Sequence, residues 1–562
     1  MRFGYGLTAA VLLLVGCGKD APPEPLDFVP ANTPYVFANR VPTPAAISEA
    51  WMALSQSGDV ERDVERFLQM LEADADAEDQ DSDTVAFRAA AKRWLPALAP
   101  ELERVYTRAG IEELGFDFES RYAMYGHGLL PVLRIQLADP AKFAAMVARV
   151  EQRAGEKLAT RTLGEAAYWQ VVVGKVELLF GAVGGQLVAT IGPVDQGEAV
   201  WQQQLGLTMP ATSLQESGAL AELEQQQGYT GHGSGWIDLR ELVRRLTGRD
   251  SGDAAVMTAL GLPVPAPSAT CMAEYDTLAA RAPRMHAGVS RMDARELALT
   301  GLWEMDPAFQ QALAALPAPI PGPGVKGEGL LRFGLSMDGS VLLKQLGVMA
   351  RAINAAPFAC EDLQPINQMA TELAENLKNP ALGMAGAVNA LQFALDGVRI
   401  GEDGMPEQLD AVVAVGGSMP PMLWSLLQTS VAPLAGVTLA PDGKPVALPE
   451  GLWPLPIPLQ ALMTDGSLAL AAGQVAEPRF LAEATRPAVA DGTLVYYQLT
   501  GNAFVQMGKL MRQMGERQET PDPELAETAD MLEKMGGQLS GMSVQLRSDP
   551  GGLRMQQTMR LN

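Results

Sequence analysis

The sequence predicts an α+β protein of two duplicated halves, each with antiparallel sheets covered by helices, and three observations lead there. A unit of strand, one or more helices, β-hairpin and a helix opened by proline recurs about four times along the chain. The same Asp-Pro signal follows two of the hairpins, at Asp139-Pro140 and Asp306-Pro307. The stretch LPAPIPGPG, residues 316–324, is too rich in proline and glycine for helix or central strand and marks a boundary. The halves are then residues 28–315 and 327–562, joined by a linker over 316–326.

The first module opens with the strand Tyr35–Arg40, after which Thr43-Pro44 supplies an N-cap and a first-turn proline for a helix bearing Ile47, Trp51 and Leu54 on one face. A helix from Asp59 carries Val60, Val64, Phe67, Leu68 and Leu71 at helical spacing, and beyond the acidic run Glu72–Asp83 a third spans about Val85–Gly110. The hairpin 121–137 follows. Asp139-Pro140 then starts a helix with Phe143, Val147 and Val150 inward and Gly155 as C-cap.

The second module has a strand at 235–239, a helix Arg240–Leu246, a helix after Cys271, a hairpin over 284–305 and a helix bearing Phe309, Leu313 and Leu316. The third has a strand at 329–336, helices around 340–354 and 361–377, a hairpin from Leu391 to Val415 and a helix begun by Ser418 and Pro420. The fourth has a strand at 493–499, helices from Asn502 and Pro523, and a final hairpin MSVQLRSDPGGLRMQQTMRL. Extra strand-rich sequence follows modules one and three, at 168–192 and 435–475, which makes each half a pair of modules.

The N-terminus carries an address. Arg2 precedes an apolar stretch Leu7–Val15, too short to span a bilayer but of signal-peptide length, and Leu14-Val15-Gly16-Cys17 ends it. This end resembles the lipobox of bacterial lipoproteins, which implies removal of residues 1–16 and lipidation of Cys17; the competing reading is an ordinary secretory signal or an uncleaved anchor. Two or three acyl chains hold a protein lastingly, where one holds it only marginally. Gly18, rather than an aspartate, favours the periplasmic side of the outer membrane over the inner membrane. Residues 17–27, with APPEP at 21–25, form a short stiff tether.

With 562 residues the chain exceeds one ordinary core, and 42 basic against 66 acidic residues give a formal charge of −24. That balance excludes nucleic acid and anionic headgroups as charge-driven partners. Beyond Cys17 the cysteines are Cys271 and Cys360, an even count for an oxidising compartment; they form a disulfide or remain two buried thiols. Each lies just before the helix that precedes a hairpin, so a bridge would staple the halves together.

Chemistry-bearing motifs are sparse. EADADAEDQDSD resembles a calcium loop, but from Asp74 the EF-hand count puts Asp79 at the glycine and Val85 at the bidentate glutamate. His127, His232 and His286 have no metal-ligand spacing, and no GxSxG, SxxK or HExxH is present, so neither metal nor cofactor is expected. Met507, Met511 and Met514 fall at i, i+4 and i+7, the spacing of a buried helix face as much as of a thioether copper site. The uncharged stretch 411–440 and GLWPLPIPLQAL at 451–462 are proline-punctuated; they form core plus connector, or an apolar partner or ligand surface with Met422, Trp424 and Trp453.

The segment PLDFVPANTPYVFANRVPTP, residues 25–44, resembles the beginning of an uncharacterised family of proteobacterial envelope lipoproteins with a lipobox, a short linker and a Pro-Ala-Asp-Thr-Pro-Tyr opening strand; Asn32 stands at the aspartate. The resemblance implies an envelope location and carries no activity or site residues. The leading expectation is a non-enzymatic scaffold or interaction module anchored by lipid beside another envelope protein. The second is a carrier of lipid or another hydrophobic ligand. The third is a hydrolase whose carboxylate pair comes together only in the fold.

Overall fold

A computed structural model describes residues 22–55, 60–73, 82–322, 329–379, 382, 386–401, 406–452, 457–476, 483–486, 491–516 and 523–562. The signal peptide, Cys17, most of the acidic run, Trp453 and part of the linker lie outside the described residues. Among the described residues no helix is long and apolar enough to cross a membrane.

The sequence predicts several sheets; the structure has one, of 19 antiparallel strands. The first half supplies β1 (Tyr35–Ala38), β2 (Tyr122–His127), β3 (Leu130–Gln136), β4 (Ala159–Leu163), β5 (Ala166–Val173), β6 (Val176–Val183), β7 (Gln186–Pro193), β8 (Ser234–Asp238), β9 (Arg284–Met292) and β10 (Glu296–Glu304). The second supplies β11 (Leu331–Ser336), β12 (Val388–Ile400), β13 (Pro406–Gly417), β14 (Val446–Ala447), β15 (Leu459–Met463), β16 (Ser467–Ala472), β17 (Thr493–Thr500), β18 (Leu539–Asp549) and β19 (Gly552–Leu561).

The two sets form two arms that meet along β10 and β19, in register from Glu296 opposite Arg560 to Glu304 opposite Gly552. Outward from this seam the first arm reads β10, β9, β8, β1, β2, β3, β7, β6, β5, β4. The second reads β19, β18, β17, β11, β12, β13, β16, β15, β14. In both, the last hairpin of the arm lies at the seam and the extra strands lie outermost.

Local chemistry explains the elements. Asp139 accepts from the Ala141 and Lys142 amides, Pro140 needs no donor, and Gly155 closes the Pro140–Ala154 helix at φ 71°. Asp306 caps Pro307–Ala314 in the same way. The hairpin strands β18 and β19 alternate Met542, Val544, Leu546, Leu553 and Met555 with Ser543, Gln545, Arg547, Arg554 and Gln556, the period of a sheet with unlike faces. Gly235 is required where β8 meets β1, because a Cβ there would lie 1.9 Å from the Val36 carbonyl oxygen.

Some expected boundaries move. Strand β1 stops at Ala38, since the Asn39 side chain donates to Ser120 O and accepts from Tyr122 N. The expected Val85–Gly110 helix runs Ser82–Leu102, and Thr107 caps a separate helix Arg108–Glu113. The helix of the third module is Pro420–Ser430 with Met419, not Ser418, as a cap that makes no side-chain bond.

The deepest core lies on one face of the first arm, where Val36, Tyr125, Val132, Val188 and Trp236 pack with Leu26, Val29, Trp201, Leu214 and Leu220 from the segments that cover it.

Candidate functional site: an apolar row along the sheet

The other face of the sheet carries the most extended chemical pattern in the molecule. One register line joins Leu133, Met124, Phe37, Gly235, Ala287 and Gly301 in the first arm to Met555, Leu546, Val495, Leu335, Leu391 and Val415 in the second. Every member is apolar, one from each of twelve neighbouring strands. At about 4.8 Å between strands the line runs for about 50 Å.

Their neighbours on the first face, Val36, Trp236, His286 and Leu302, are at most 6 % exposed. The row is far more open: Met124 is 43 % and Met555 44 % exposed, and the cross-strand pair Met285 and Trp303 beside them is 40 % exposed each. Phe37, Leu335, Leu391, Val415, Val495 and Leu546 are half-buried. Gly301 and Gly235 keep the middle of the row shallow. At the seam, β19 places Arg554, Gln556, Thr558 and Arg560 on the first face, so the apolar stripe is a property of one face only.

Helices close the row's ends. Phe143 and Val147 of Pro140–Ala154 pack with Ile135, Trp169 and Phe180 at one end, and Trp424 packs with Met463 and Leu468 at the other. Two helical straps cross between the arms. In the first, Ser82–Leu102 is held to Pro140–Ala154 by Glu101 with Arg149 and Arg153, Lys92 reaches Glu72 at 2.8 Å, and Arg62 and Arg66 of Val60–Ala73 pair with Glu527 of Pro523–Gln538. Arg149, and then Arg153, hold the Glu101 carboxyl down at about 2. In the second, Cys360, between Gly339–Ala355 and Gln364–Asn376, is disulfide-bonded to Cys271 of Ala269–Arg281. The straps leave apolar side chains exposed as well, including Phe67, Met70, Val348 and Met369.

The disulfide is formed as the cysteine count suggests, with Cys271 inside the first turn of its helix rather than before it. Trp424 does not belong to a surface: it is 4 % exposed, with its indole N–H 3.3 Å from Val437 O, and Met422 beside it is half-buried. The methionine stripe divides, since Met511 packs with Leu532 and Leu539 whereas Met507 and Met514 are exposed.

The polar candidates are mostly paired internally, although the buried His286 Nε2 has no hydrogen-bond partner and lies 3.6 Å from Glu304. A cavity of about 410 Å³ is lined by Phe28, Asn32, His127, Gln203, Arg245 and Asp253 among others. Its buried Arg245 is paired with Asp253 and Glu241, each at 2.8 Å, and Asp253 also accepts from Leu129 N. Burial pushes the His127 imidazole below its usual range. His286 is buried with Nδ1 2.9 Å from Tyr229 Oη, and burial followed by the charges of Arg554 and Arg284 brings its pKa down to about 4.

One carboxylate pair does come together across β12 and β13: burial and then Asp410 raise the Asp396 pKa. Arg332 pairs with Asp396 at 2.9 Å, while Asp410 accepts from Gln408 Nε2 at 2.6 Å and Gln474 N at 2.5 Å. These bonds knit strand ends. Among the described residues no group of three or more histidines, cysteines or acids could hold a metal.

No protein-family model, no curated protein and no solved structure matches this chain.

Proposed function

We propose that this chain is a periplasm-facing outer-membrane lipoprotein, anchored through Cys17, that carries hydrophobic chains such as lipid acyl tails in a trough floored by the apolar row. The observation that carries the reading is the row itself. Twelve strands from both arms align apolar side chains in one register line and leave them half-open, where a globular interior would close over them. The trough favours a carrier over the interaction module that composition put first. It gives the catalytic reading no support: the Asp396 and Asp410 carboxylates are taken up by Arg332, Gln408 and Gln474.

The same proposal includes duplication of the halves. Each arm places its last hairpin at the seam, its central strand (β1 or β11) between the two modules, and its extra strands outside. A local twofold axis through the β10–β19 pairing relates such arms, which makes the trough symmetric about Gly301 and Met555.

The test is ligand recovery and uptake by the full acylated chain. Solvent extraction of protein purified from cells is expected to release lipid beyond the anchor itself, and a fluorescent fatty acid is expected to bind. Leu546→Asp and Ala287→Phe on the row are expected to weaken uptake at least tenfold, while Gln545→Asp on the opposite face leaves it unchanged. Equal uptake by all of these proteins would reject the trough.

A further inference from the structure

The segment ahead of β1 is built into the fold. Pro23 O accepts from Gln186 Nε2 at 2.7 Å, Glu24 pairs with Arg121, and the Glu24 amide donates to Asp27 Oδ2 at 2.7 Å. Leu26 and Val29 are buried, and the Arg134 guanidinium lies 3.8 Å from the centre of the Phe28 ring. These contacts fix where Pro22 emerges. It lies beside Asp117, Glu119, Gln136, Ala138 and the Gly184-Gly185 turn, where β2 begins, β3 ends and β6 turns into β7.

Cys17 is five residues before Pro22. An extended chain covers at most about 3.6 Å per residue, so any lipid on Cys17 sits within about 18 Å of this rim. We propose that this strand-end rim of the first arm is the surface that faces the bilayer, an inference that rests on the lipid-anchored reading above. Glu24, Asp117 and Glu119 give the rim no cationic attraction for headgroups, so the tether alone imposes the orientation.

The orientation says where cargo comes from. Met124 of the apolar row lies two residues in from Tyr122 at this rim, about 7 Å along the strand. The Met124 side of the trough, rather than either helix-closed end, therefore lies beside the membrane, and the acyl chains of that bilayer are the nearest source.

The experiment uses full-length acylated protein in phosphatidylethanolamine–phosphatidylglycerol vesicles carrying a headgroup quencher. Single labels are placed at Glu119→Cys or Ala138→Cys on the rim, and at Lys175→Cys or Lys444→Cys elsewhere, with the native disulfide retained. Quenching at Glu119 and Ala138 is expected to exceed that at Lys175 and Lys444 severalfold, and a ten-residue Gly/Ser spacer inserted after Lys19 is expected to abolish the contrast. Equal quenching at all four sites, or a contrast that survives the spacer, overturns the orientation while leaving the anchor intact. Failure of the protein to float with vesicles overturns the anchored reading and the orientation with it.

Discussion

Two places join the helices of one arm to those of the other, and they use different chemistry. At one, Cys271 and Cys360 form a covalent bond, the Glu274 carboxylate accepts from the amides of Ala359 and Cys360, and Tyr275 Oη donates to Asp362 at 2.6 Å. At the other, Arg62 and Arg66 meet Glu527, with all three side chains between 30 % and 41 % exposed. Under the proposed duplication these are the same place twice. Cys271 and Glu527 sit near the starts of the helices leading into the β9–β10 and β18–β19 hairpins, while Cys360 and Arg62 follow the helices Gly339–Ala355 and Ala45–Ser55. The difference is between a covalent joint and one held by ion pairs together with Leu54 against the Phe504, Leu532 and Leu539 cluster and Gln538 Nε2 donating to Ala53 O at 3.0 Å. A disulfide closing an 89-residue separation stabilises by about 4 to 5 kcal/mol in the chain-entropy picture, whereas half-exposed ion pairs are worth about 0 to 1 kcal/mol and weaken with salt.

Breaking the covalent joint is expected to have the largest effect. Cys271→Ser together with Cys360→Ser, or added reductant, lowers the thermal midpoint by several degrees, and the reductant has no further effect on the double variant. Acid comes next and acts at the seam between the joints. The folded state holds His286 at about 4 against an ordinary 6.5, so its contribution is full above the ordinary value and is lost as pH falls toward 4. Half-buried Glu304, whose pKa is raised by desolvation, runs the opposite way. In His286→Phe the dependence of denaturation midpoint on pH over that window flattens; an unchanged slope rejects the assignment. The smallest effect belongs to Glu527→Gln: a loss below about 1 kcal/mol that disappears at high salt. If this variant also speeds fatty-acid uptake, the ionic strap limits entry to the trough; an unchanged rate rejects that role.

Much of this architecture was legible in the chain. The caps Asp139-Pro140 and Asp306-Pro307, the C-cap Gly155 and the alternation in β18 and β19 are local signals, and each sits where its chemistry requires. The even cysteine count named the right pair. The apolar row was not legible. Met124, Gly301 and Leu335 are each unremarkable, and their alignment is set by eleven strand pairings between distant segments, none of which leaves a mark in a short window of sequence. Between the two readings of the uncharged stretch, core or surface, the sequence could not decide, because such a stretch reads alike whether it is enclosed or open; at Trp424 packing against Met463 and Leu468 encloses it.

The pairing of β10 with β19 puts the last strand of the chain at the centre of the molecule. A chain made from its N-terminal side can complete the first arm early, yet β10 then waits as an uncovered edge, able to zip onto any stray strand, until Gly552–Leu561 is made. Loss of β19 would remove the strand-to-strand seam and leave the arms held by the disulfide and the helical straps alone, with β10 and β18 exposed as edges.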